Sequence, residues 1–170
     1  PYGKPERTDI FRAEEERMKP IVILLVEDNP DHILLIKRAL ELNNILNEVR
    51  VVEDGQEALD YLYRQGKYTD PESAPRPGLI LLDIKLPKVD GLDVLQRIKS
   101  DPILKVIPII MLTSSEQEAD ILRSYLNGAN SYIVKPIRFE DFVQKVRELK
   151  LYWILVNTLP PESAFLRPTP

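Results

Sequence analysis

Apolar residues in this chain come in short solid runs, separated by stretches where they recur every third or fourth position. The runs at 21–26 (IVILLV), 49–52 (VRVV), 79–82 (LILL), 107–112 (IPIIML) and 132–134 (YIV) carry few polar residues on either face. That pattern predicts short strands covered on both sides, as in a parallel sheet. Between the runs, Ile33, Ile36 and Leu40 fall at helical spacing within 30–42, Ala58, Leu59 and Leu62 within 56–64, and Leu92, Leu95 and Ile98 within 92–99. Ala119, Leu122, Tyr125 and Leu126 predict a fourth helix over 116–127, and a fifth spans 138–156. Helix starts are marked too: Asn29-Pro30 reads as an N-cap followed by proline in the first turn, and Ser114 or Ser115 stands before Glu116. Five strand–helix units joined by right-handed crossovers give an α/β fold, a doubly wound five-stranded parallel sheet with five helices.

Outside that alternation the pattern fades. Residues 1–19 are polar and read as a loosely ordered arm, residues 20–157 as the folded domain, and residues 158–170, four of them proline, as an extended or disordered tail. The stretch from Gly66 to Gly78, GKYTDPESAPRPG, is long for a connection in such a fold and is expected to be a passive surface loop. With 44% hydrophobic and 29% charged residues in 170, the chain has the makings of one ordinary core. A net charge of −4 without a basic stripe argues against nucleic acid or an anionic membrane as partner. The lack of cysteine excludes disulfides and thiolate metal sites, and no apolar stretch reaches membrane-spanning length. A soluble cytoplasmic protein that works through protein partners is expected.

The chemistry is suggested by where the strands end. Ligands of open parallel sheets gather beyond the carboxyl ends of the central strands. There the first strand delivers Glu27 and Asp28, the third Asp83, the fourth Thr113 and Ser114, and the fifth Lys135. Any one of these carboxylates alone reads as a cap or turn residue. Three on one rim repel one another, and Mg²⁺, which takes oxygen ligands and retains water, would resolve the conflict together with the Lys135 ammonium. A carboxylate held beside a divalent cation, a hydroxyl and an ammonium is suited to accept a phosphoryl group. The single histidine, His32, sits just inside the first helix and reads as an incidental surface residue.

Taken together, VEDNP, LILLDIKLPKVDGL, PIIMLTS and SYIVKP resemble the receiver domain of bacterial two-component response regulators, over residues 21 to about 150. The resemblance implies a CheY-like, flavodoxin-like sheet in the order 2-1-3-4-5. It also implies that Asp83 is the phosphoacceptor for a sensor histidine kinase. Glu27, Asp28, Asp83 and the backbone carbonyl of Lys85 would hold Mg²⁺. Thr113 would supply the hydroxyl, Lys135 the ion-pair partner, and Tyr132 the switch aromatic; the Lys135-Pro136 bond is commonly cis in that family. YLYRQGKYTDPESAPRPGLILLDIKLP and VRELKLYWILVNTLPP further resemble the single-domain regulators that partner bacterial phytochromes.

An acyl phosphate at Asp83 would draw Thr113 and Lys135 toward it and free space for Tyr132 to turn inward. The expected output surface is the helix over 116–127, the fifth strand and the last helix. On that last helix the apolar stripe of Phe142, Val143, Val146, Leu149 and Trp153 is widened by Leu151, Tyr152, Ile154, Leu155 and Val156. The excess is best covered by a second copy of the chain, so a homodimer through this face is expected. A Mg-dependent haloacid-dehalogenase-like phosphatase is the competing reading, but its nucleophile would end the first strand in an Asp-x-Asp pair. A flavin-binding module would need a phosphate loop where EDNPDH stands.

Overall fold

The computed structural model describes residues 20–42, 45–114, 128–135 and 137–148. The expected arm at 1–19, the helix over 116–127, the Ser115 cap, Pro136 and the chain after Glu148 lie outside the described residues. Five strands, β1 (Val22–Val26), β2 (Val49–Val52), β3 (Pro77–Asp83), β4 (Ile109–Thr113) and β5 (Ser131–Val134), form one parallel sheet in the order β2-β1-β3-β4-β5. The described α-helices are α1 (Pro30–Glu41), α2 (Gly55–Tyr63), α3 (Gly91–Ser100) and α4 (Phe139–Glu148).

Burial along each strand follows its place in the sheet. In the central strands, β1 beyond its first residue and all of β4 are closed to solvent, and their sequences are correspondingly apolar on both faces. The edge strands are half-covered: β5 alternates buried and half-buried, and β2 reaches full burial only at Val52. Because side chains alternate across a strand, the sheet carries two cores. One joins Leu24, Val26, Ile80, Leu82 and Met111 to Leu59 and Leu62 of α2 and Val94 and Ile98 of α3. The other joins Ile23, Leu25, Leu79, Leu81 and Ile133 to Ile36 and Leu40 of α1 and Phe142 of α4.

The strand ends differ from the sequence-based expectation by one or two residues, for reasons visible in the proline positions. β3 starts earlier, at Pro77, with a register irregularity between Val22 and Ile23 opposite Pro77 and Leu79. Proline is tolerated as a first strand residue because the ladder there does not require its missing donor. β4 starts later, after Pro108, whose carbonyl still accepts from the Ile80 amide at 3.0 Å.

The 66–78 segment is more firmly built than a passive loop. It opens with a 3₁₀ turn over Gly66–Tyr68. The Tyr61 hydroxyl donates to the Pro75 carbonyl at 2.8 Å, the Tyr68 hydroxyl to Glu57 at 2.8 Å, and Ala74 is buried in the first core. Tyr61 and Tyr68 also meet edge to face, with ring centroids 5.1 Å apart. The segment lies at the surface, with residues 66, 67 and 69–72 exposed, but its length and prolines do not reveal that Tyr61 and Tyr68 anchor it.

Candidate functional site

The site starts from strand periodicity. Residues 23, 25 and 27 of the first strand and its end, 79, 81 and 83 of the third, and 133 and 135 of the fifth share one parity, the side covered by α1 and α4. Their apolar members form the second core, and their last members are Glu27, Asp83 and Lys135. The same alternation that buries Leu25, Leu81 and Ile133 therefore aims two carboxylates and one ammonium at a common point.

They do meet. The Lys135 ammonium lies 2.5 Å from Glu27 Oε2 and 3.2 Å from Asp83 Oδ2, with all three side chains below a tenth exposed. Carboxylate oxygens of Glu27, Asp28 and Asp83 lie within 4.8 Å of one another, Asp28 being the exposed member. Three carboxylates thus cluster where one ammonium pairs with two of them, so negative charge is in formal excess. Burial, and then the adjacent Glu27 charge, push the Asp83 carboxyl up to about 6, with Lys135 pulling in the opposite direction.

Local structure holds each part. Asn29 caps α1, its side chain accepting from the Asp31 amide at 2.9 Å, while its own amide donates to Glu27 Oε1 at 3.1 Å. The helix start and the buried glutamate therefore brace each other. Past Asp83 the chain turns sharply: the Ile84 amide donates to Leu112 and the Gly91 amide to Ile84, at 3.1 and 2.8 Å. Gly91 passes so close to the strand end that a Cβ there would stand 1.9 Å from the Asp83 carbonyl oxygen. Gly91→Ala is expected to cost about 1–3 kcal/mol as the turn is pushed off the strand. It should also weaken divalent-cation binding, because Asp83 moves with its backbone. Urea unfolding and a Mg²⁺ titration check both; a variant unchanged in both would refute the close approach.

The remaining expected residues sit around this centre rather than in it. Thr113 is wholly buried at the end of β4, and its carbonyl accepts from the Lys135 amide at 2.6 Å. By alternation its side chain shares a face with Tyr132, which packs half-buried against the first core with the Lys145 ammonium 5.4 Å from its ring centroid. Lys85 stands exposed in the turn two residues past Asp83. His32 departs from the sequence reading: its Nδ1 lies 3.1 Å from the Lys135 ammonium and 3.6 Å from Glu27 Oε1. Nothing in the sequence marks it except its position five residues after Glu27, which α1 folds back over the rim.

The donor set suits a hard divalent cation. Three carboxylates of which one is exposed give oxygen ligands and an open side for retained water, and no sulfur or paired imidazoles compete.

The sheet is thus parallel in the order β2-β1-β3-β4-β5, with acidic residues clustered where its winding reverses and a lysine just past its last strand. The response regulator receiver domain model matches residues 23–147, and the chain belongs to that family. It is therefore a receiver domain of a phosphorelay, and the phosphatase alternative has no support. Among solved structures, the bacteriophytochrome response regulator RtBRR is 47% identical, with a TM-score of 0.75 over 85% of this chain and 87% of its own. Response regulator Rcp1 of Synechocystis sp. is 40% identical over 86% of this chain and 97% of its own. An Mn(2+)-bound structure of Rcp1 superposes with a TM-score of 0.66, covering 83% of this chain and 99% of that one at 41% identity. The probable methanogenesis regulatory protein FilR2 of Methanothrix harundinacea is 41% identical over 89% of this chain and 93% of its own. Among the described residues no helix is long and apolar enough to cross a membrane.

Proposed function

We propose that this receiver takes a phosphoryl group on Asp83 from a sensor histidine kinase, with Mg²⁺ held by Glu27, Asp28, Asp83 and the Lys85 carbonyl. The observation that carries the reading is the convergence of Glu27, Asp28 and Asp83 within 4.8 Å of one another, with a single ammonium paired to two of them, which leaves an excess of negative charge. Mg²⁺ would neutralise that excess and the charge arriving with the phosphoryl group. Asp83 is the nucleophile because it ends β3, inside the sheet, with its side chain 9% exposed, reachable from the rim yet held by Lys135. Phosphorylation adds charge and acceptor oxygens to Asp83, to which the Lys135 ammonium and the Thr113 hydroxyl would turn. Thr113 and Tyr132 share a sheet face, so a shift of one would open space for the other.

The partner is a histidine kinase, and a phytochrome is the sensor favoured by likeness to RtBRR, a bacteriophytochrome response regulator. The protein acts in the cytoplasm as a signalling module that modifies itself once rather than turning over a substrate, and its output passes through proteins rather than nucleic acid. It pairs as a homodimer through the face of the 116–127 segment, β5 and the last helix. Incubation with acetyl phosphate and Mg²⁺ should add one phosphate per chain by mass measurement. No added mass, with the chain folded and Mg²⁺ present, would refute the reading.

Protons and the metal compete for the same oxygens, which gives a pH prediction. An acid raised in the folded state stabilises the fold below its unfolded value and loses that contribution as pH rises through about 6. The cation-free protein is thus strained at about pH 8, where Asp83 must be ionised, and Mg²⁺ relieves it. The rise in melting temperature on adding Mg²⁺ should be larger at about pH 8 than at about pH 5. Equal rises at both would exclude Asp83 as a ligand.

A further inference from the structure

We infer that His32 is a positioning residue for phosphoryl uptake: its neutral Nδ1 takes the third N–H of the Lys135 ammonium and so directs that ammonium at Asp83. The inference rests on the reading of Asp83 as phosphoacceptor and adds a residue to its machinery.

An ammonium has three donors and no acceptor. Around Lys135 Nζ the structure provides three acceptors on three different elements: Glu27 Oε2 at 2.5 Å, Asp83 Oδ2 at 3.2 Å and His32 Nδ1 at 3.1 Å. The Lys135 side chain is 8% exposed, so a donor left over would have little water to turn to. The inferred bond requires one tautomer of the imidazole. Two N–H groups cannot face each other at 3.1 Å, so Nδ1 carries the lone pair and the proton sits on Nε2. The alternative, a protonated Nδ1 donating to Glu27, faces 3.6 Å, beyond hydrogen-bond length.

The placement is built rather than incidental. The Asn29 cap fixes the first turn of α1, its Oδ1 accepting from the His32 amide itself at 3.4 Å. The ring and the lysine stem then line one small cleft with Leu35, Ile36 and Ile137. With two of its donors on carboxylates, the ammonium could swing toward Glu27 alone. The third bond resists that swing and keeps the charge where the incoming phosphoryl oxygens will lie.

The test pairs two substitutions with a spectroscopic readout. His32→Leu keeps bulk and removes the acceptor, whereas His32→Asn retains an acceptor oxygen close to the position of Nδ1. Uptake from acetyl phosphate at saturating donor should fall about tenfold in His32→Leu, the scale of one charge-assisted hydrogen bond, and recover to within about twofold in His32→Asn. The Mg²⁺ concentration for half-saturation should stay unchanged, since His32 is not a ligand. In the wild type, ¹⁵N NMR should show an unprotonated, hydrogen-bonded Nδ1 whose resonance shifts in Lys135→Met. Equal rates in Leu and Asn variants, or a protonated Nδ1, would overturn the inference. If His32→Leu fails to fold, the NMR measurement and the Asn variant still decide it. A wild type that takes no phosphate refutes the Asp83 reading instead, and leaves the hydrogen bond to be judged by NMR alone.

Discussion

Asp83→Asn is expected to abolish phosphoryl uptake from acetyl phosphate or a kinase while leaving a folded and, without metal, more heat-stable protein. The loss is complete because the amide cannot serve as nucleophile, and neither Glu27 nor Asp28 can take its place. Glu27 is fully buried and committed to Lys135 and the Asn29 amide, and Asp28 stands exposed two residues past the end of β1. The gain in stability follows from charge. Above about pH 6 the wild-type carboxyl is ionised against both its burial and the Glu27 charge, and the substitution removes that repulsion. Thermal unfolding at about pH 8 without Mg²⁺ should give a higher melting temperature for Asp83→Asn than for wild type, and the order should narrow or reverse when Mg²⁺ is added. Stoichiometric labelling of the variant would move the acceptor to another residue. A lower melting temperature at about pH 8 would mean that the lost Lys135 contact outweighs the relieved repulsion.

The second large effect is expected at Lys135. Lys135→Met keeps a similar stem but takes the only cation from among Glu27, Asp28 and Asp83 in the described site. Breaking a buried ion pair by deleting one partner typically costs about 3–5 kcal/mol, because the desolvated charge left behind has no compensation. Here two buried carboxylates are left facing each other. The sign of the pH dependence is fixed: without the ammonium the Asp83 carboxyl rises further, so proton uptake relieves the strain and the deficit shrinks as pH falls from about 8 to about 5. Mg²⁺ should recover part of the loss at the higher pH. Urea denaturation at both values, with and without Mg²⁺, reads all three effects. A variant within about 1 kcal/mol of wild type at about pH 8 would show that the carboxylates do not depend on Lys135.

Much of this was legible in the chain. Fully apolar runs such as IVILLV and IPIIML imply strands with two covered faces, and Ile36 and Leu40, four residues apart, mark the buried side of α1. Both rest on local periodicity, which needs no knowledge of neighbours. Asp83 was legible because a charge closing a buried run demands a partner. The 66–78 segment and His32 were not. Tyr61 and Tyr68 anchor that segment through contacts to Pro75 and Glu57, and His32 acquires its meaning from Lys135, 103 residues away.

By itself the amino-acid sequence determined the sheet, the sides of its helices and the carboxylates and lysine that end its strands, since these follow from short-range alternation of apolar and polar residues. Folding alone brings Glu27, Asp83 and Lys135 to one side of the sheet and Thr113 and Tyr132 to the other, and sets His32 among the ammonium's partners. Those facts depend on strand order, register and the angle at which α1 returns over the rim, and distance and hydrogen-bond direction exist only once separate segments are packed together.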